Sequence, residues 1–167
     1  MSMVTGHRCG KSMRKDVPSI TVVIADSDTK RLGVCVRLLQ GASGITVVAT
    51  AATVRETIQT AMHRPQILLL DLKIARANDA ATLPLLRTKS PRTQVILLTG
   101  QASDAHILAG ISQGARGYLD STLLRRFLVK AVRAVAAGES WVSRAMVSKL
   151  IDQLARLMAL NVRTRTV

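Results

Sequence analysis

Five short apolar runs, at residues 20–25, 45–50, 66–70, 94–99 and 115–119, recur along the chain. Each is followed by a longer stretch with helical spacing of its apolar residues, at 28–40, 53–63, 79–89, 103–113 and 123–137. A chain that alternates strand and helix in this way must return each strand in the same direction, because the intervening helix carries the crossover. The runs are almost wholly apolar rather than alternating, so both faces of the sheet are covered. The pattern predicts an α/β fold: a doubly wound, five-stranded parallel sheet with βα repeated five times, plus an extra helix at the carboxyl end. In such sheets ligands sit beyond the carboxyl ends of the strands, where the winding reverses.

At 167 residues, 48% of them hydrophobic, there is material for one ordinary domain. Only one Trp, one Tyr and one Phe are present, so Val, Ile, Leu and Ala must build the interior. Residues 1–18 lack periodicity and end at Pro18, which reads as a disordered leader; residues 19–138 form the domain. Ser143 is placed to cap a further helix whose Met146, Val147, Leu150, Ile151, Leu154, Leu157 and Met158 share one stripe. That makes 139–160 a linker or dimerisation helix, with Leu150 and Leu154 as interface candidates and 161–167 as a frayed tail. No run approaches the roughly 20 apolar residues of a membrane span, and no secretory signal is present, so a cytoplasmic location without membrane contact is expected. Cys9, with His7 beside it, and Cys35 lack metal-ligand spacing and read as reduced thiols.

The formal net charge is +14, spread along the whole chain. A nucleic acid or another acidic partner would suit it. Aromatic interleaving, a zinc pattern and a Gly-rich phosphate loop are all missing, and a solvated basic surface is the plainer reading. Arg126, Lys130 and Arg133, spaced by four and three, share one face of the 123–137 helix. A solvated stripe is the plainer reading; as an interface the three like charges would need an acidic partner, for which Asp104 and Asp120 are candidates.

Three carboxylates fall where strand ends converge: Asp26 and Asp28 after the first run, and Asp71 after the third. Neighbouring carboxylates there suit a hard divalent cation such as Mg²⁺. One of them can also act as a nucleophile towards phosphorus. Each Asp taken singly is better explained as a helix cap, Asp28 above all; for the set that reading is weaker. Thr99 ends the fourth run, and Gly100 behind it permits close backbone approach.

Four motifs stand in order: Ile24-Ala25-Asp26-Ser27-Asp28, Pro65-Gln66-Ile67-Leu68-Leu69-Leu70-Asp71-Leu72-Lys73, Val95-Ile96-Leu97-Leu98-Thr99-Gly100 and Gly114-Ala115-Arg116-Gly117-Tyr118-Leu119. Over about residues 20–140 this order resembles the flavodoxin-like receiver domain of response regulators, especially the NarL/FixJ group. Ala131-Val132-Arg133-Ala134-Val135-Ala136-Ala137-Gly138-Glu139 resembles the last helix of that group and its exit. The resemblance implies Asp71 as phosphoacceptor and Asp26 as the first of an acidic pair. It further implies Lys73 as a Mg²⁺ ligand through its backbone carbonyl, and Thr99 and Tyr118 as the switch pair. It implies a two-component phosphorelay module, not an enzyme, with a sensor histidine kinase or other signalling protein as partner, homodimerisation, and DNA contact only through an output domain.

Two site positions depart from that family's pattern. Ser27 stands where the second carboxylate is expected, which weakens the attraction for Mg²⁺. Ser121 stands where a phosphate-pairing Lys is expected, and a phosphoryl dianion normally needs positive charge close by; Arg116 and Arg125 are the nearest replacements considered. The loop after Asp71 reads Ile74-Ala75-Arg76-Ala77 where Met-Pro-Gly is common, so its turn differs. Two states stay open: weak phosphorylation at Asp71, or a stand-alone atypical receiver working through protein contacts alone. Two further classes compete, an enzyme or small-ligand binder on the same frame and a nucleic-acid-binding basic domain. The first is disfavoured by Asp26-Ser27-Asp28 standing where a Gly-rich phosphate loop would be. No helix-turn-helix fits after residue 160, so the expectation is a receiver fragment of a transcription regulator or an independent receiver.

Overall fold

The structure, a computed structural model, describes residues 19–77 and 81–164, with side chains to Leu160. The expected leader with His7 and Cys9, the expected helix start at Asp79, and residues 165–167 lie outside the described residues. The strands are β1 (Ile20–Ala25), β2 (Ile45–Ala51), β3 (Ile67–Asp71), β4 (Gln94–Thr99) and β5 (Gly117–Asp120). The helices are α1 (Thr29–Gln40), α2 (Val54–Thr60), α3 (Leu72–Arg76), α4 (Thr82–Lys89), α5 (Asp104–Ser112), α6 (Leu124–Ala136) and α7 (Arg144–Thr164). The strands form one parallel sheet in the order β2-β1-β3-β4-β5, the doubly wound arrangement expected from the alternation.

Strand parity divides the core, since successive side chains point to opposite faces. Val22, Ile24, Ile67, Leu69, Ile96 and Leu98 lie on one face with Cys35 and Leu39 of α1 and Leu128, Val132 and Val135 of α6. Val23, Ala25, Leu68, Leu70, Val95 and Leu97 lie on the other, against Leu72, Ile74 and Ala75 of α3 and Leu83 and Leu86 of α4. Such two-sided burial is what the uninterrupted apolar runs require. α5 reaches the second face at Gly110, where a Cβ would stand 2.4 Å from Leu97 Cδ1.

α3 is an element the sequence reading did not contain. Leu72-Lys73-Ile74-Ala75-Arg76 has neither Pro nor Gly, its residues favour helix, and the Asp71 carboxylate caps it by accepting from Lys73 N at 3.2 Å. A turn with Pro-Gly chemistry would have prevented this.

Beyond α6 the chain returns alongside β5. Trp141 N donates to Arg116 O and Tyr118 N to Trp141 O, each at 3.0 Å. Gly117 is required there, because a Cβ would meet Trp141 O at 2.6 Å. Trp141 also packs on Phe127 of α6, ring centroids 6.1 Å apart. Ser143 Oγ then caps α7 by accepting from Met146 N at 3.2 Å. Met146 is buried and Leu150 half-buried, with Lys149 paired to Asp104 of α5, while Ile151, Leu154, Leu157 and Met158 are exposed. The helix continues to Thr164 where a frayed tail was expected from residue 161, since Asn161-Val162-Arg163-Thr164 contains no helix breaker.

Candidate functional site

The sheet's winding reverses between β1 and β3, and the chain has placed carboxylates at both strand ends. Asp26 directly follows β1 and is fully buried; Asp71 is the last residue of β3 and 2% exposed. Thr99 ends the adjacent β4, and Ser121 follows β5, so the same rim collects them.

A cation sits between the two carboxylates, and it is Arg31 of α1. Its Nε donates to Asp26 Oδ2 at 2.5 Å, its Nη2 to Asp26 Oδ1 at 2.8 Å, and the same Nη2 lies 2.8 Å from Asp71 Oδ1. The Arg31 side chain is only 12% exposed. Hydrogen bonding to Asp26, reinforced by the charges of Asp26 and Asp71, holds the guanidinium protonated well above its ordinary range. Ser27 completes the ring: its Oγ donates to Asp71 Oδ2 at 2.5 Å and its backbone N at 3.4 Å. Asp26 Oδ1 also accepts from Asp28 N at 2.8 Å. Every carboxylate oxygen of the pair therefore has a protein donor, and no buried side-chain polar atom is orphaned among the described residues.

This arrangement does not suit the Mg²⁺ expected from the sequence. Asp28 points its carboxylate at Lys30 N and Arg31 N, capping α1, which holds its pKa below the usual value. The carbonyl of Lys73 accepts from Ala77 N at 3.1 Å, closing α3. Of the four ligands proposed from the sequence, Asp26 and Asp71 come together; Asp28 and the Lys73 carbonyl do not join them. No group of three or more His, Cys, Asp or Glu side chains suited to a metal occurs among the described residues. A divalent cation between Asp26 and Asp71 would have to displace Arg31.

The other half of the rim carries hydroxyls and a single carboxylate, that of Asp120 at the end of β5. Thr99 is buried, with its Oγ1 at 3.5 Å from Leu119 O, a long contact. Tyr118 is half-buried and its hydroxyl donates to Ser143 Oγ at 2.8 Å, the same oxygen that caps α7. Ser121 opens the 3₁₀ turn Ser121–Leu123, beside Asp120, whose carboxylate binds Thr122.

The replacement cations considered from the sequence lie elsewhere. Arg116 bonds Gln94 at the opposite end of β4, and Arg125 is exposed on α6. Arg31 was overlooked, although it carried a signal. With Lys30 it is one of two cations in the first turn of a helix that has no acidic residue there, an arrangement that opposes the helix dipole. On α6, Arg126 stacks over Phe127, Lys130 is exposed, and Arg133 donates to Ser43 O. Asp104 and Asp120 are engaged with Lys149 and Thr122, not with this stripe.

The sequence model of the family described as the response regulator receiver domain matches residues 22–133. The nitrate/nitrite response regulator protein NarL of Escherichia coli strain K12 is 31% identical over 143 residues, covering 85% of this chain and 66% of that protein. Oxygen regulatory protein NreC of Staphylococcus epidermidis strain ATCC 12228 is 30% identical over 109 residues, 64% of this chain and 50% of that protein. The chain thus spans between half and two thirds of the length of these relatives. Among solved structures, the signal receiver domain of the NarL protein from Mycobacterium tuberculosis superposes with a TM-score of 0.67 at 26% identity, covering 72% of this chain and 98% of that one. A two-component response regulator of the LuxR family from Aurantimonas sp. SI85-9A1 shares the fold, with a TM-score of 0.71 at 21% identity over 82% of this chain and 99% of that one.

Proposed function

The chain belongs to the response regulator receiver domain family, and from that premise we propose that it is the regulatory part of a NarL/NreC-type two-component transcription regulator, with Asp71 as its phosphoacceptor. The observation that carries this reading is the Asp71 carboxylate, held at the carboxyl end of the central strand and at the reversal of winding, with Thr99 on the neighbouring strand. An oxygen of Asp71 attacks the phosphorus of a phosphohistidine or small phosphodonor. The bond from phosphorus to the leaving group breaks, the leaving group departs with the electron pair, and an acyl phosphate remains on Asp71.

Receiver domains of this family generally bind Mg²⁺ at the phosphorylation site. In this chain the carboxylate pair is closed by Arg31, so no step is assigned to a metal. The signal then passes through neutral groups. A phosphoryl oxygen on Asp71 offers Thr99 Oγ1 a stronger acceptor than its long contact to Leu119 O, and Tyr118 follows. Because Tyr118 shares Ser143 Oγ with the first turn of α7, its movement loosens or tightens the α7 cap.

Response regulators interact with sensor histidine kinases and often dimerise. In this reading the partner is such a kinase, and the exposed Ile151, Leu154, Leu157 and Met158 of α7, continuous with Leu150, pair with a second copy. DNA is contacted through an output domain, the location is cytoplasmic, and the chain is a regulator rather than an enzyme. Among the described residues no helix is long and apolar enough to cross a membrane. The relationship to NarL and NreC favours this reading over direct nucleic-acid binding by the basic surface. Its test is intact-mass analysis after incubation with acetyl phosphate or phosphoramidate. One phosphoryl adduct on the wild type and none on Asp71→Ala is expected; no adduct on either, under conditions that label an ordinary receiver, contradicts it.

A further inference from the structure

We infer that Arg31 is the built-in cation of this site: its guanidinium takes the place between Asp26 and Asp71 that a divalent metal would need, so the site works without one. The inference concerns the Asp71 site and rests on that reading for the phosphoryl chemistry, but not for the metal result.

The first support is geometric. Three donor contacts of 2.5 to 2.8 Å tie one guanidinium to both carboxylates, and both carboxylates are essentially excluded from solvent. A pair of ionised carboxylates buried together needs a positive partner, the alternative being uptake of a proton, because their mutual repulsion and desolvation are otherwise uncompensated. Arg31 meets that need from within the chain. The second support is the set of donors around it. Ser27 Oγ, Ser27 N, Asp28 N and Lys73 N donate to the same carboxylates, so an incoming ion would meet a donor already in place at each oxygen.

The third support is the unused part of the guanidinium. Nη1 has no acceptor among the described residues and lies toward Gly100, 3.8 Å from where a Cβ on that glycine would stand. The guanidinium thus reaches from the end of β1 past Asp71 towards Gly100, with the Nη1 donors left over on that side. A planar fork of this kind is suited to a phosphoryl group, binding its oxygens directly while remaining charged at any working pH. Ser27 and Ser121, the two departures from the family pattern, then belong to one change. The metal-binding carboxylate and the phosphate-pairing Lys are both replaced, and Arg31 supplies positive charge for both roles.

Mn²⁺ as a paramagnetic probe and Mg²⁺ itself test the inference on the full chain. In the wild type, micromolar Mn²⁺ should leave the amide signals of residues 26–28, 71–73 and 99–100 no broader than those of the remaining surface. Millimolar Mg²⁺ should not raise the melting temperature above an ionic-strength control. Arg31→Gln frees two carboxylates, enough for a Mg²⁺ that keeps its other waters. It should gain saturable Mn²⁺ broadening at those residues and a Mg²⁺-dependent rise in melting temperature of about 2–5 °C. Selective, saturable broadening around Asp71 in the wild type overturns the inference whatever the variant does, as does an Arg31→Gln protein that folds and still ignores both ions. If Arg31→Gln does not fold, the wild-type titration decides alone. A chain that accepts no phosphoryl group in any buffer would remove the phosphoacceptor reading and leave the metal result standing.

Discussion

The rim above the sheet has two halves built on different physics. Over β1 and β3, the buried Asp26 and Asp71 join Arg31 and the exposed Ser27 in a charge-paired cluster in which each carboxylate oxygen is bonded. Over β4 and β5, Thr99, Tyr118 and Ser143 are neutral, and the contacts are a long one at 3.5 Å and an exposed one at 2.8 Å. The first half is costly to disturb because its charges have no water to fall back on. The second is cheap to rearrange, since a hydroxyl that leaves its partner finds solvent or another acceptor. A signalling site needs both: a fixed place where charge arrives, and a loosely held element that responds.

The largest effect should come from breaking the charged half. Arg31→Ala leaves two buried carboxylates without their cation and should lower unfolding stability by about 3–5 kcal/mol in urea melts. Asp26→Asn in the same background should recover part of that loss, because it removes one of the unpaired charges. A loss under about 1 kcal/mol would mean the carboxylates are far better hydrated than their burial implies.

Next in size is the junction between the halves and α7. Gly117→Ala drives a Cβ into Trp141 O, and relief requires moving the 139–143 segment, at about 1–3 kcal/mol. Hydrogen exchange should quicken in the first turns of α7 while the β1–β3 amides keep their protection. Smaller still is Tyr118→Phe, which removes one partly exposed hydrogen bond and should cost about 0.5–1.5 kcal/mol. If the half over β4 and β5 is the responsive one, this variant should abolish any change in α7 exchange on phosphodonor treatment while leaving adduct formation on Asp71 intact.

The smallest effect near neutral pH concerns Cys35, one turn beyond Arg31 and buried on the α1 side of the core. Burial, helped by the charge of Asp26, pushes its thiol up from 9.0 to about 12. The neutral thiol is therefore favoured in the folded chain. Its contribution to stability is complete below pH 9 and is lost as pH rises towards 12. In a Cys9→Ser background, Cys35 should resist alkylation at pH 8 unless the chain unfolds, and Arg31→Ala should speed its modification through local opening of α1.

The layered fold was legible because five buried strands leave an unmistakable rhythm of apolar runs, and their ends located Asp26, Asp71 and Thr99 without any side-chain detail. The cation was not legible in that way. Strand rhythm places residues at strand ends, whereas Arg31 reaches the site from the first turn of a helix, and its clue was an unfavourable charge rather than a favourable spacing. α3 escaped for a related reason: a five-residue helix is too short to show periodicity, and only the missing Pro and Gly after Asp71 announced it. The capping role of Asp28 was visible from sequence, yet choosing between cap and ligand needed the direction of its carboxylate.

The central claim, a nucleophilic Asp71 served by its own Arg31, is tested most directly by the rate of phosphoryl adduct formation from phosphoramidate in chelator and in millimolar Mg²⁺. A wild-type rate that differs by less than about twofold between the two buffers, a barrier change well under 1 kcal/mol, is the predicted result. An adduct that forms only with Mg²⁺, or more than about tenfold faster with it, would contradict the account.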